Sequence, residues 1–149
     1  MITGRNLEEE YSVARAYLKP GFFVKLIVGP LAIRSGKVPV LTVIGRSSGK
    51  PRSVPIGEPV EVRGNRYLVS PRGETHWVLN MRKAGCGRLR SHGLVESFLA
   101  VEVDGTERDR AIAAYRTQAG KMVEPAFVRL PDAEDHPTFR IDDAKVMSR

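Results

Sequence analysis

The residues best suited to chemistry lie in two short clusters, and the first of them is the segment 45–55. It reads Gly-Arg-Ser-Ser-Gly-Lys-Pro-Arg-Ser-Val-Pro and follows an apolar run. The two glycines allow a tight turn, the serines add hydroxyl donors, and Arg46 and Arg52 offer planar, bidentate guanidinium groups. Backbone amides of such a turn can also converge on an anion. The pattern predicts an anion-binding turn between two strands, with a solvated basic hairpin tip as the alternative.

The second cluster is the segment 70–80, which reads Ser-Pro-Arg-Gly-Glu-Thr-His-Trp-Val-Leu-Asn. Arg72 and the first turn of a following helix would present donors to an anion or to the polar edge of a ring. Trp77 suits either stacking on a flat ligand or packing in the core. Asn80, one turn later, is expected to contact the ligand or to satisfy a neighbouring backbone group.

The positive charge of the chain is concentrated around these clusters. Residues 46–90 contain ten basic and three acidic residues, an excess that equals the net charge of +7 of the entire chain. An anionic partner is therefore expected, and nucleic acid, an anionic membrane surface and a phosphorylated or polycarboxylate small molecule all fit. Tyr67 and Trp77 are the only aromatic residues among these cations, which disfavours nucleic acid.

Several common kinds of site do not fit the clusters. Three residues separate the glycines of the turn where a P-loop has four, and a proline stands where that motif has Ser or Thr. The three histidines and the single Cys86 lack the spacing of a zinc site or of a Cys/His pair. The sequence therefore predicts no metal.

Length and composition predict one globular unit. The chain has 149 residues, of which 42% are hydrophobic and 28% charged, as is usual for a single compact core. The lone cysteine and the lack of a secretory signal pattern predict a cytoplasmic protein. The apolar stretch 21–33 is interrupted by Lys25 and by Gly29-Pro30, so it is too short to span a membrane. A peripheral membrane contact through residues 20–33 stays open.

Short alternating runs rich in β-branched residues begin at Val38 and are typical of antiparallel strands. A helix is predicted at residues 75–84, with Thr75 as its cap, Gly85 at its end, and Trp77 and Asn80 on the side that faces the sheet. Strands are predicted at residues 38–44, 52–56, 60–62, 67–70, 87–90, 96–103 and 138–142. Further helices are predicted at residues 7–18, 106–119 and 123–130, and residues 22–33 are predicted to form a second short apolar segment that is kinked or ended at Gly29-Pro30.

These elements predict an α+β fold of about six mostly antiparallel strands that close into a small barrel, with peripheral helices. Residues 1–37 are expected to form an N-terminal helical arm and residues 38–149 the barrel, as one compact unit. The arm would pack on the barrel, act as a lid or contact a membrane surface.

Three motifs follow one another along the chain. They are Gly45-Arg46-x-Ser48-Gly49-x-Pro51-Arg52-x-x-Pro55, then Arg72-Gly73 with Trp77-x-x-Asn80, and finally Asp135-His136-Pro137-x-Phe139-Arg140-Ile141. Together they resemble the deazaflavin-dependent nitroreductase family of actinobacteria. The resemblance covers residues 40–85 well and extends weakly over most of the chain, and its first motif is the specific one.

The resemblance implies a split β-barrel of the FMN-binding type that binds coenzyme F420, a deazaflavin with a ribityl phosphate, a lactyl group and a polyglutamate tail. Such a ligand is strongly anionic, which would account for the basic segment. The phosphate would lie at the turn 46–52 and the tail along neighbouring cations. The flat ring would lie over the sheet near Pro55, Ile56 and Trp77.

Carried over by position, the family's cofactor contacts fall on both clusters and on the strand that leads into the second. They are Arg46, Ser47, Ser48, Gly49, Arg52, Ser53, Val54, Pro55, Ile56, Val69, Ser70, Pro71, Arg72, His76, Trp77 and Asn80. Two positions depart from the family. Many relatives have a cation at the position of Ser47 and an acidic or apolar residue at that of His76, so tail affinity and ring environment are expected to differ.

The resemblance also implies an F420H2-dependent oxidoreductase of the nitroreductase or quinone reductase type. It would transfer a hydride from C5 of the reduced deazaflavin to a small electron-poor acceptor such as an enone, a quinone or a nitro-compound. The protein would exclude water and orient donors toward the oxyanion that develops. The catalytic residues are not identified by the motifs, and Tyr115, His76 and solvent are the candidate proton donors.

The alternative function is a non-catalytic binding or carrier protein for F420, FMN or haem. In either case the expected partner is a small molecule and not nucleic acid. The expected assembly is a monomer or a homodimer.

Overall fold

The computed structural model describes residues 38–143. The strands are β1 (Val40–Ile44), β2 (Pro51–Pro55), β3 (Val60–Val62), β4 (Asn65–Val69), β5 (Cys86–Ser91), β6 (Leu94–Val103) and β7 (Thr138–Asp143). The helices are α1 (His76–Ala84), α2 (Gly105–Ala119) and α3 (Glu124–Arg129), with 3-10 turns at Gly120–Met122 and Ala133–Asp135.

The strands and helices predicted for residues 38–143 are confirmed, with ends that agree within two residues. The helix predicted at residues 7–18, the apolar segment 22–33, and with them the arm, lie outside the described residues. In the described part of the chain, no helix combines the length and the apolar character needed to cross a membrane.

The strands form one antiparallel sheet in the order β2-β1-β5-β6-β7-β4-β3. The two edge strands, β2 and β3, follow each other in the chain and are joined by only four residues, 56–59. An extended link of this length reaches at most roughly 18 Å. Seven flat strands spaced about 4.8 Å apart would separate the edges by roughly 29 Å. The sheet must therefore curl until its edges approach each other, as the predicted barrel requires.

Both faces of the curled sheet carry an apolar core. Successive side chains of β4 contribute to the two cores in turn. Leu68 joins a core with the buried face of α1, whereas its neighbours Tyr67 and Val69 join a core with α2 and α3. Successive side chains of a strand point to opposite faces, so one strand serves both cores. The core around α1 contains Leu41, Val43, Leu68, Val78, Met81, Leu89, Phe98, Phe139 and Ile141.

A polar contact ties α2 to the sheet. Glu107 of α2 accepts hydrogen bonds from the Tyr67 hydroxyl of β4 (2.7 Å) and from Arg140 Nη1 of β7 (3.0 Å). These two donors hold the pKa of Glu107 below its ordinary value, so the carboxylate is ionised at neutral pH.

The edge strand β2 is held from one side. It pairs with β1, begins with Pro51 and ends with Pro55. The hydroxyls of Thr42 and Ser53 lie 2.8 Å apart across the pair. Proline is tolerated at an edge because its missing N–H is not needed by a second neighbour.

We expect the substitution Phe98→Ala to lower the free energy of unfolding by about 3–5 kcal/mol, because it removes a ring from a packed core. Phe98 is 0% exposed in the middle of β6. Urea unfolding followed by circular dichroism measures the change. The matched control is Leu94→Ala in the same strand, where the side chain is 75% exposed. It should change stability by no more than about 0.5 kcal/mol, and equal losses in the two variants would contradict the described core.

Candidate functional site

The two sequence clusters meet at a cleft between β2, the loop before α1, and α1 itself. A cavity of about 280 Å³ is lined by Val43, Arg52, Ser53, Val54, Arg72, Thr75, His76, Trp77 and Asn80. A smaller cavity of about 40 Å³ is lined by Val54, Pro55, Ile56, Gly57, Val69, Ser70, Pro71, Arg72, Thr75 and Trp77. Because four residues line both, the two cavities adjoin and form one cleft. Its size approaches the lower end of small-molecule pockets, ~300–1,000 Å³.

Most of the residues predicted for the cofactor site line this cleft, and four do not. The four are Arg46, Ser47, Ser48 and Gly49, which form the turn between β1 and β2. Sequence reasoning missed three lining residues, which are Val43, Gly57 and Thr75. The alternation of buried residues in β1 could have indicated Val43, whereas Thr75 was predicted only as a helix cap.

Three backbone amides of the turn are used to close the turn itself. The Gly45 amide donates to the carbonyl of Lys50 (2.8 Å), and the Gly49 amide donates to the carbonyl of Gly45 (2.9 Å). The Lys50 amide donates to Ser48 Oγ (3.1 Å). These amides therefore do not form the anion cradle predicted from the sequence, because each already donates within the turn. A Cβ on Gly45 would lie 2.7 Å from Ser48 Oγ, so a larger residue there would displace the Ser48 side chain that closes the turn.

Arg46 holds the turn against α1. Its backbone amide and its Nη1 both donate to Asn80 Oδ1, at 3.0 and 2.6 Å. Its Nη2 lies 3.2 Å from His76 Nδ1. Burial lowers the pKa of the Arg46 guanidinium, but arginine stays charged at neutral pH.

This contact fixes the tautomer of His76. A guanidinium has donors and no acceptor, so His76 Nδ1 must accept the bond from Arg46. The proton of the neutral imidazole is therefore on Nε2. His76 is thus a fixed N–H donor in the wall of the larger cavity.

The other candidate proton donor, Tyr115, lies in the core around α2 and is 3% exposed. Burial raises the pKa of its hydroxyl, so the group keeps its proton. A Cβ on Gly57 would lie 3.1 Å from the Tyr115 hydroxyl oxygen. Tyr115 therefore lies behind Gly57 and does not line either cavity.

Two buried polar atoms of the cleft point to a ligand. Among residues 38–143, Arg52 Nη2 and Thr75 Oγ1 are buried and have no hydrogen-bond partner. Thr75 is the N-cap residue of α1, as predicted, but its side chain makes no cap hydrogen bond. Buried polar atoms nearly always have a partner, and those without one call for an explanation. A bound anion with oxygen acceptors would satisfy both groups, so the cleft fits an anionic cofactor such as F420.

Trp77 combines the two roles that the sequence left open. Its ring packs against Phe139 at a centroid distance of 5.9 Å and borders the core around α1. It also lines both cavities, beside the apolar side chain of Val54. The cleft therefore has an apolar aromatic wall that suits a flat ring.

Several cations of the basic segment are neutralised away from the cleft. Arg66 donates two bonds to Glu96, at 2.9 and 2.7 Å. Arg82 donates to Glu102 at 2.7 Å. These pairs tie β4 to β6 and α1 to β6. They contribute little to the field at the cleft.

Two more cations lie on the opposite face of the sheet. Arg88 and Arg90 are exposed and flank Leu89, whose buried side chain points to the core around α1. The expectation that the whole excess of charge serves one partner is therefore corrected. Arg52 and Arg72 line the cleft, and among residues 38–143 no carboxylate does.

The chain matches the model of the F420H(2)-dependent quinone reductase family over residues 25–124, more than half of its length. The chain belongs to this family. It is accordingly an F420-dependent oxidoreductase, as the sequence motifs predicted. No curated protein matches the chain.

Solved structures confirm the predicted α+β split barrel. An F420-H2 dependent reductase, FDR-A, is 22% identical with a TM-score of 0.53, over 70% of this chain and 93% of that one. The haem storage protein HutZ of Vibrio cholerae is 13% identical with a TM-score of 0.52, over 74% and 83%. A putative pyridoxamine 5'-phosphate oxidase of Listeria innocua is 12% identical with a TM-score of 0.52, over 77% and 90%. At these identities the likeness concerns the fold.

We expect Thr75→Val to raise the free energy of unfolding of the cofactor-free protein by about 1–3 kcal/mol, since it replaces an unpartnered buried hydroxyl with a methyl group. The control is Thr138→Val. Thr138 is equally buried, but its hydroxyl donates to the carbonyl of His136 at 3.0 Å. This variant should lose about 1–3 kcal/mol. Urea unfolding compares the two, and a loss of stability in Thr75→Val would contradict the unpartnered state of its hydroxyl.

Proposed function

We propose that this chain transfers a hydride from reduced F420 to a small electron-poor acceptor, with quinones as the first class and enones and nitro compounds as the others. Membership of the family supports the cofactor. The observation that carries the proposal is a cleft to which residues 38–143 contribute no carboxylate and in which they leave Arg52 Nη2 and Thr75 Oγ1 buried without partners. An anionic, flat ligand satisfies both the charge and the shape of this cleft.

The residues of the cleft divide between the two parts of such a ligand. Arg52 and Arg72 would bind its phosphate or carboxylate groups, because guanidinium groups pair with both through two N–H donors. Trp77 and Val54 would pack against its ring and exclude water. The bound cofactor supplies the hydride. The contacts predicted from the resemblance for the turn 46–49 stay predictions.

We assign to His76 the hydrogen bond that is donated to the oxygen of the electron-poor substrate. When an acceptor takes up a hydride, negative charge develops on its oxygen, and a fixed donor in a dry cleft stabilises that charge. The neutral imidazole offers its Nε2 proton for such a bond, whereas Tyr115 lies behind Gly57. Solvent then completes the protonation of the product.

The proposal extends to the organisation of the chain. Residues 38–149 would form the barrel and residues 1–37 an arm, within one compact unit that acts as a monomer or a homodimer. The partner would be a small molecule.

We expect Arg52→Ala to weaken the binding of F420 about ten- to hundredfold, because it removes a charge-assisted contact. Quenching of the single tryptophan, Trp77, measures the affinity. The control Arg88→Ala removes the same charge from the opposite face of the sheet and should bind like the parent. Equal weakening in both variants would mean that only net charge matters, and an absence of binding by the parent chain would refute the assignment.

We expect reduced F420 to be oxidised by the parent chain in the presence of at least one class of acceptor. The assay follows the absorbance of the deazaflavin with a panel of quinones, enones and nitroaromatics. Titrations with FMN and haem in parallel show which cofactor the cleft prefers. Binding of F420 without turnover of any acceptor would favour the carrier function instead.

A further inference from the structure

Asn80 is buried at the centre of a polar contact between α1 and the turn that joins β1 to β2. It is 4% exposed, and its Oδ1 atom accepts two hydrogen bonds from Arg46. One comes from the backbone amide at 3.0 Å, and the other from Nη1 at 2.6 Å. A single side-chain oxygen thus fixes the main chain of the turn and the direction of the arginine side chain together.

Further contacts of Arg46 also run to α1. Nη1 lies 3.5 Å from the carbonyl oxygen of His76, and Nη2 lies 3.2 Å from His76 Nδ1. The carbonyl of Arg46 accepts a bond from Lys83 Nζ at 3.3 Å. His76 and Asn80 are four residues apart and so lie on one face of the helix. The guanidinium is therefore directed at the helix surface.

The contact matters because of where the turn lies. The cleft is bounded by β2 on one side and α1 on the other, and β2 is an edge strand held by β1 alone among the described strands. The position of β2 relative to α1 then depends on the turn that precedes it. Arg52 and Val54, which line the cleft, follow the turn directly.

We propose that Asn80 is a positioning residue that acts through Arg46. Together they form a clamp, Arg46–Asn80, which holds the turn on α1, sets the distance between β2 and α1, and orients His76. Arg52, which follows the turn in β2, contacts the anionic ligand. This assignment rests on the proposed function for its consequence in binding, whereas the clamp itself can be measured without cofactor.

The first test uses the cofactor-free full chain and amide hydrogen exchange. In Asn80→Ala the Arg46 amide loses its acceptor, so its protection should fall at least about tenfold. In Asn80→Asp a carboxylate oxygen can still accept both bonds, and protection should stay at or above the parent level. The amide of Leu68, in the core, reports global unfolding, so the loss of protection at Arg46 should exceed any loss at Leu68. Unchanged protection of Arg46 in Asn80→Ala overturns the clamp.

The second test measures F420 affinity by tryptophan quenching over a range of salt concentrations. Asn80→Ala should bind at least about tenfold more weakly with an unchanged salt dependence, because no charge is removed. Arg52→Ala should bind more weakly with a flatter salt dependence. The exposed Asn65→Ala, in the β3–β4 hairpin, is the matched control and should bind like the parent.

A double variant separates positioning from direct contact. If Asn80 acts through Arg46, Asn80→Ala should cost little further affinity in a chain that already carries Arg46→Ala. If the amide of Asn80 instead donates to the ligand, the losses of the two single variants should add in the double variant, and the positioning role is overturned. Failure of the parent chain to bind F420 would refute the proposed function, while the exchange experiment would still decide the clamp.

Discussion

The four residues between β2 and β3 constrain the whole molecule, because they join the two edges of a seven-stranded sheet. The curl that this short link imposes brings the end of β2 and Gly57 close to the loop that leads into α1. Residues from both places line the smaller cavity. The cleft is thus a product of the closure of the barrel, and its walls come from chain segments that are distant in sequence.

Helix α1 packs on one face of the sheet, and two kinds of contact hold it there. Val78 and Met81 are fully buried, and each contributes about 1.5–3 kcal/mol through removal of apolar surface from water. The hydrogen bonds between Arg46 and Asn80 each contribute a net ~0.5–1.5 kcal/mol. The apolar contacts therefore determine that α1 docks, and the polar contacts determine where the neighbouring turn lies. One face of α1 therefore stabilises the fold through apolar packing, and another face of the same helix fixes the geometry of the site through hydrogen bonds.

Local patterns were sufficient to predict the elements. Period-two alternation located the strands, and Gly85 at the end of α1 adopts the left-handed conformation expected of a helix terminus, with φ at 72°. The site was predictable as two clusters, since each is continuous in sequence. Their contact was not, because Arg46 and Asn80 are 34 residues apart and only the fold brings them together.

The roles of individual arginine side chains could not be predicted from the sequence either. The anion contact of Arg46 stays a prediction, and nothing in the sequence of the Gly-Ser turn indicated that this arginine also binds a helix. The charge count likewise could not separate Arg52 from Arg88, which lie on opposite faces because Leu89 fixes the phase of β5. Which charged side chains form ion pairs, and therefore which electrostatic field acts at the cleft, depends on the three-dimensional arrangement.

The prolines at the two ends of β2 have a consequence for association between molecules. A free sheet edge invites a strand from another chain to add to it through backbone hydrogen bonds. Pro51 and Pro55 each lack the amide hydrogen that an incoming strand would need. Among the described strands, the outer edge of β2 therefore offers few donors to a foreign strand, and polymerisation through this edge is opposed.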